Sequence, residues 1–132
     1  MAAVIARSLP EVSKDTIIVP VPAVLSRVRQ RGFDQAELIA KALSIQLGMP
    51  YSPLLARTGK HRQVGANRQQ RLEQMQAEFR ASNPSKTKHA HILLVDDVLT
   101  TGATIEAAAQ ILRQAGAGSI TAATFALSLR VR

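Results

Sequence analysis

Asp96 and Asp97 stand side by side in the stretch Ile92-Leu93-Leu94-Val95-Asp96-Asp97-Val98-Leu99-Thr100-Thr101-Gly102-Ala103-Thr104. Two carboxylates followed at once by small hydroxyl side chains and a glycine read as a site for a sugar phosphate. Thr100 to Thr104 offer consecutive backbone N–H groups ahead of the helical run Ile105 to Ala115. Such a loop opens on a helix N-terminus and holds phosphate through N–H donors and the helix dipole. A bland reading, an acidic strand end feeding a capped helix, accounts for less, because Thr-Thr-Gly-Ala-Thr exceeds what a cap requires. A P-loop is excluded: around Gly59-Lys60, Leu54 stands where its first glycine belongs and His61 where its Ser or Thr belongs. A receiver-type phospho-acceptor site is excluded too, since only 35 residues follow Asp97 and none is Asp or Lys.

These groups need a scaffold that holds them at one edge. Ile92 to Val95 suit a strand buried on both faces, as in a parallel sheet covered by helices, and the pattern predicts a strand over 90–95 followed by a helix over 103–115. Upstream, Thr16-Ile17-Ile18-Val19-Pro20-Val21-Pro22 predicts the first parallel strand, followed by a basic loop with Arg27, Arg29 and Arg31. A helix starts next, with Asp34 as N-cap, Glu37 three residues on, and Phe33 and Leu38 at the staple positions. Ile39, Leu43 and Leu47 continue it until Gly48 and Pro50 stop it. A strand is predicted over 51–56, a mobile basic loop over 57–67, a short helix over 68–76, a polar connector over 82–88, and a last strand over 119–127 after Gly116-Ala117-Gly118. Alternating strands and helices imply an α/β fold, an open parallel sheet flanked by helices, with ligands beyond the carboxyl ends of the strands.

At 132 residues the chain has room for one domain, with its core over about 16–128. It has no cysteine, so neither disulfides nor thiolate zinc sites are available. The first residues lack the basic and long apolar parts of a signal peptide or membrane span, and the expectation is a cytoplasmic protein without membrane contact. Seventeen Lys and Arg against nine Asp and Glu give a net charge of +8. Six of those charges arise in the segment 57–88, which pairs eight basic residues with Glu73 and Glu78. Such a segment attracts polyanions, whether nucleic acid or pyrophosphate. With no Trp, one Tyr and three Phe, the composition favours a phosphate substrate over stacking on single-stranded DNA. His89 and His91 are two potential ligands without a third, a poor metal site.

The apolar strand, Asp96-Asp97 and Thr100 to Thr104 together resemble the phosphoribosyl-pyrophosphate (PRPP) signature of type I phosphoribosyltransferases. The resemblance implies that Asp96 and Asp97 are the catalytic pair that holds the ribose hydroxyls. It implies a donor segment running from Asp96 through Val98, Leu99, Thr100, Thr101, Gly102 and Ala103 to Thr104, with the loop gripping the 5′-phosphate. Mg2+ would come with PRPP, on pyrophosphate and ribose oxygens. Val19-Pro20-Val21-Pro22 with Arg31-Gly32-Phe33-Asp34-Gln35-Ala36, and the spacing of Arg57, Gln63, Arg71 and Phe79, resemble the ComF/GntX branch, covering about 17–127. Asp34 replaces that branch's usual Asn. In that light Arg57, Lys60 and Gln63 occupy the place of the flexible loop that closes over pyrophosphate, with Arg27 and Arg31 on its opposite side.

The resemblance implies transfer of phosphoribosyl from PRPP to an unspecified nitrogen acceptor, or alternatively a non-catalytic ComF-like accessory of DNA uptake in competence, or a PRPP sensor. Nucleic-acid contact would run through the segment 57–88, and type I relatives suggest a homodimer. Residues 1–15 look too short and irregular to build the hood with which type I enzymes hold the acceptor.

Overall fold

The computed structural model describes residues 13–59, 67–96 and 102–124. Its central layer is a parallel sheet of β1 (Ile17–Pro20), β4 (His91–Asp96) and β5 (Ser119–Thr124), in the order β1-β4-β5. Ile17 pairs with Ile92 and Pro20 with Val95, while His91 pairs with Ser119 and Asp96 with Thr124. This register puts the central strand where both its faces are covered. The period-2 alternation of a strand then divides the core. Ile18, Leu93 and Val95 face helix α2 (Gln35–Leu47), packing on Ile39, Ala40 and Leu43. Val19, Ile92 and Leu94 face the other way, onto Ala107, Ala108 and Leu112 of α5 (Ala103–Gln114). The expected parallel α/β architecture is therefore present.

Helix α2 begins where the cap residue requires. Asp34 has an extended backbone and its Oδ1 accepts N–H bonds from Ala36 (3.1 Å) and Glu37 (3.4 Å). Gly48, with φ of 66°, ends the helix in the left-handed conformation that glycine adopts without strain. Glu37 is paired with Lys41 one turn on, at 2.8 Å.

Three expectations need correction. The segment expected as a basic loop is helix α1 (Leu25–Arg31), closed by Gly32 with φ of 83°. Its Leu, Arg and Gln are good helix formers and its arginines sit in the last turn, where the dipole favours cations. None of its residues is buried, so it has no apolar stripe to signal it. The strand expected over 51–56 breaks at Pro53, which lacks the N–H a ladder needs. Tyr51 makes a single parallel bridge to Ile18, and the chain then leaves the sheet. Leu55–Arg57 forms β2 instead, antiparallel to β3 (Phe79–Ala81) in a separate two-stranded ribbon. Arg57 accordingly stands in a strand, not at the start of a loop.

Between them lies α3 (Arg68–Ala77), opened by a reciprocal capping box in which Asn67 and Gln70 bond each other's backbone N–H at 2.8 and 3.0 Å. A single-turn helix α4 (Pro84–Thr87) occupies the polar connector. Residues 125–127 of the expected last strand, 60–66 of the expected loop, and the N-terminal residues 1–12 lie outside the described residues. No described helix is long and apolar enough to cross a membrane.

Candidate functional site

A cleft of about 620 Å³ lies beyond the carboxyl ends of β1 and β4, where an open parallel sheet places its ligands. Asp96, the last residue of β4, reaches it from the sheet although only 9% of its surface is exposed. Thr104, in the first turn of α5, borders it from beyond the strand. Arg27 and Arg31, four residues apart on α1, line its far wall, and Arg57 enters from the ribbon. Five of the residues singled out from the sequence thus share one cleft, two from the β4–α5 unit and three cations from elsewhere. Gly102 opens α5 with φ of 84° and Ala103 is its first helical residue. Asp97, Val98, Leu99, Thr100, Thr101, Lys60 and Gln63 lie outside the described residues.

The starts of α1, α2 and α5 all border this cleft, and those of α2 and α5 differ in chemistry. At α2 the Asp34 carboxylate takes the amide N–H groups of Ala36 and Glu37 on one oxygen and that of Ala23 on the other, at 3.0 Å. Its negative charge already complements the dipole there. At α5 the N-cap is Gly102, which supplies no side-chain cap. The two helix starts thus differ in that one carries a capping carboxylate and the other a glycine N-cap.

Arg57 is held on three sides. Its Nε–H donates to the Pro22 carbonyl at 2.8 Å, one terminal nitrogen meets Glu78 Oε2 at 3.4 Å, and the guanidinium lies 4.3 Å from the Phe79 ring centre. Arg57 and Phe79 are cross-strand partners in the ribbon. Two residues matched to one motif across 21 intervening positions are thus in direct contact. Glu78 was legible in the sequence only as one of two acids in a basic segment; its neighbour Phe79 was the available signal.

His91 lies at the opposite, amino-terminal end of the sheet, with Nδ1 2.7 Å from Ser119 Oγ. Among the described residues no three His, Cys, Asp or Glu side chains gather as metal ligands do.

Comparison with known proteins shows the family and the fold. Residues 34–130 match the model of the phosphoribosyl transferase domain. The chain is 32% identical over 106 residues to Competence protein F of Haemophilus influenzae, covering 78% of this chain and 46% of that protein. It is 34% identical over 112 residues to Competence protein ComFC of Bacillus subtilis, covering 84% and 44% respectively. The chain thus spans about half the length of the relatives it matches. Among solved structures, the allosteric regulatory enzyme of purine biosynthesis superposes on 93% of this chain and 24% of its own, with a TM-score of 0.62 at 16% identity, a likeness of fold. The sheet, the cleft beyond Asp96 and the match over most of the length together show that the chain belongs to the phosphoribosyltransferase family, in its ComF-like branch.

Proposed function

We propose that the cleft binds PRPP and transfers its phosphoribosyl group to a nitrogen acceptor, releasing pyrophosphate. The observation that carries this reading is the placing of a buried carboxylate, Asp96, between a glycine-opened helix N-terminus and a wall with two arginines. PRPP has the complementary order: a phosphate, a diol, and a pyrophosphate. The α5 terminus with Thr100 to Thr104 takes the 5′-phosphate, Asp96 and Asp97 take the ribose hydroxyls, and Arg27 and Arg31 face the pyrophosphate. Lys60 and Gln63 belong with them by position in the sequence.

The site suits magnesium carried in on the substrate. The ion would be carried on pyrophosphate and ribose oxygens with no direct protein ligand, and the Asp96 carboxylate beside it would add favourable charge. When bound, the ion neutralises the leaving group. The protein's own part is positioning and electrostatics. Asp96 and Asp97 orient the ribose while the bond from C1 to the pyrophosphate oxygen breaks, and their charge favours the positive charge that develops on the ring. Calorimetry with PRPP and magnesium tests the reading; no binding by the wild-type chain refutes it.

The similarity to competence proteins, with the net charge of the segment 57–88, favours a second reading: an accessory of DNA uptake in which PRPP is sensed and not consumed. Binding of DNA that falls with salt and is lost on neutralising Arg57, Lys60 and Arg62, without pyrophosphate release from PRPP, supports it.

A further inference from the structure

The contacts of Arg57 and Asp34 converge on one peptide unit. Arg57 Nε–H donates to the carbonyl of Pro22, and the Asp34 carboxylate accepts from the N–H of Ala23, which is the other end of the same planar group. That peptide lies in the short connection between β1 and α1, which carries Arg27 and Arg31. Among the described residues neither end of it bonds the sheet, where Val21 N–H donates to the Val95 carbonyl at 2.8 Å. Its orientation is therefore set by two side chains, one from the ribbon and one from the start of α2.

We infer that Arg57 and Asp34 are positioning residues that clamp the Pro22–Ala23 peptide and so aim α1 and its arginines into the cleft. The inference rests on the PRPP reading for its functional consequence and on geometry for the clamp. The Arg57 side chain is 18% and that of Glu78 15% exposed, so Glu78 and the Phe79 face hold the guanidinium in a partly desolvated setting where its direction is defined. Thr58 fixes the end of β2, with its N–H on the Glu78 carbonyl at 2.8 Å and its hydroxyl on the Ala77 carbonyl at 2.6 Å. The cation thus reaches the β1–α1 connection from a braced strand end. Asp34 does two tasks with one carboxylate: Oδ1 starts α2 and Oδ2 holds Ala23. An Asn there has one carbonyl oxygen and one NH2 group, and the NH2 group cannot accept from Ala23.

A clamp and a direct pyrophosphate ligand predict opposite results. For a direct ligand, removing the neighbouring carboxylate with Glu78→Gln frees a cation and tightens anion binding; Arg57→Lys keeps the charge and is tolerated. For a clamp, both variants weaken binding. The experiment titrates wild type, Glu78→Gln and Arg57→Lys with PRPP and magnesium at several salt concentrations, and measures amide hydrogen exchange at Ala23. We expect affinity to fall about tenfold in each variant, the scale of one lost charge-assisted bond, with an unchanged salt slope. Exchange at Ala23 accelerates in Arg57→Lys although the Arg57 bond is to the carbonyl end of the peptide. Tighter binding by Glu78→Gln, wild-type affinity in Arg57→Lys, or unchanged exchange at Ala23 overturns the clamp while leaving PRPP binding intact. Absence of PRPP binding by the wild type refutes the donor reading instead, and exchange at Ala23 then still decides the clamp. Asp34→Asn serves as a second variant acting on the other end of the same peptide; combined with Arg57→Lys it gives a less than additive loss, as expected for two contacts on one group.

Discussion

Replacing Asp34 by Ala removes three backbone N–H acceptors at once, those for Ala23, Ala36 and Glu37. Loss of an N-cap alone costs about 0.5–2 kcal/mol. The bond from Ala23 is made to a charged acceptor and adds about 1.5 kcal/mol, the low end for such a bond, since Asp34 is only half-buried. The expected destabilisation is roughly 3 kcal/mol, or a fall in Tm on the order of 10 °C for a domain of this size. Asp34→Asn keeps an oxygen for the two amides of α2 but sets its NH2 group against the Ala23 N–H, and about half the loss is expected. Urea unfolding followed by far-ultraviolet circular dichroism gives both values on the same scale. The order wild type, Asn, Ala is the prediction. A change of under about 0.5 kcal/mol for Ala, or equal losses for Asn and Ala, refutes the division of labour between the two carboxylate oxygens.

Further outcomes follow from packing and titration. A Cβ at Gly118 would stand 2.9 Å from the His89 carbonyl oxygen and 3.3 Å from its carbon, both backbone atoms, and His89 is itself held at φ of 63° with its N–H on the Gly116 carbonyl. Gly118→Ala is therefore expected to destabilise by about 1–3 kcal/mol in the same unfolding assay. Tyr51 is the only tyrosine, and burial, followed by the charge of Glu37, raises its phenol above the ordinary value of 10.0. Ultraviolet titration of the folded chain should show its ionisation above that pH. Because the folded state holds the proton more firmly, Tyr51's contribution to stability is complete below pH 10.0 and is lost as pH rises through the folded-state value. Ionisation at or below 10.0 contradicts its burial against α2.

How much of this was legible before the fold depends on whether the signal was local. The strand expected over 90–95 and found at His91–Asp96, the cap at Asp34 and the helix from Ala103 were readable because apolar period, cap chemistry and glycine act within a few residues. Helix α1 was not, since it buries no residue and so lacks the stripe by which a helix is recognised. The strand after Tyr51 was misplaced because Leu54 and Leu55 are buried in either arrangement, and only the missing N–H of Pro53 distinguishes them. Arg57 was singled out as a cation, yet its partner is the Pro22 carbonyl 35 positions away, and no local pattern reports such a contact. The grouping of Arg27, Arg31, Arg57, Asp96 and Thr104 in one cleft likewise depends on topology that brings the ends of β1 and β4 together.

Asp96 is where sheet, cleft and proposed chemistry meet, and Asp96→Asn changes its charge with little change of shape. Calorimetric titration with PRPP and magnesium, comparing this variant with wild type at one salt concentration, should show binding by the wild type and an affinity at least about tenfold lower for Asn, the scale of charge-assisted bonds to the ribose hydroxyls. Equal affinity for the two chains would contradict the placing of the ribose on Asp96.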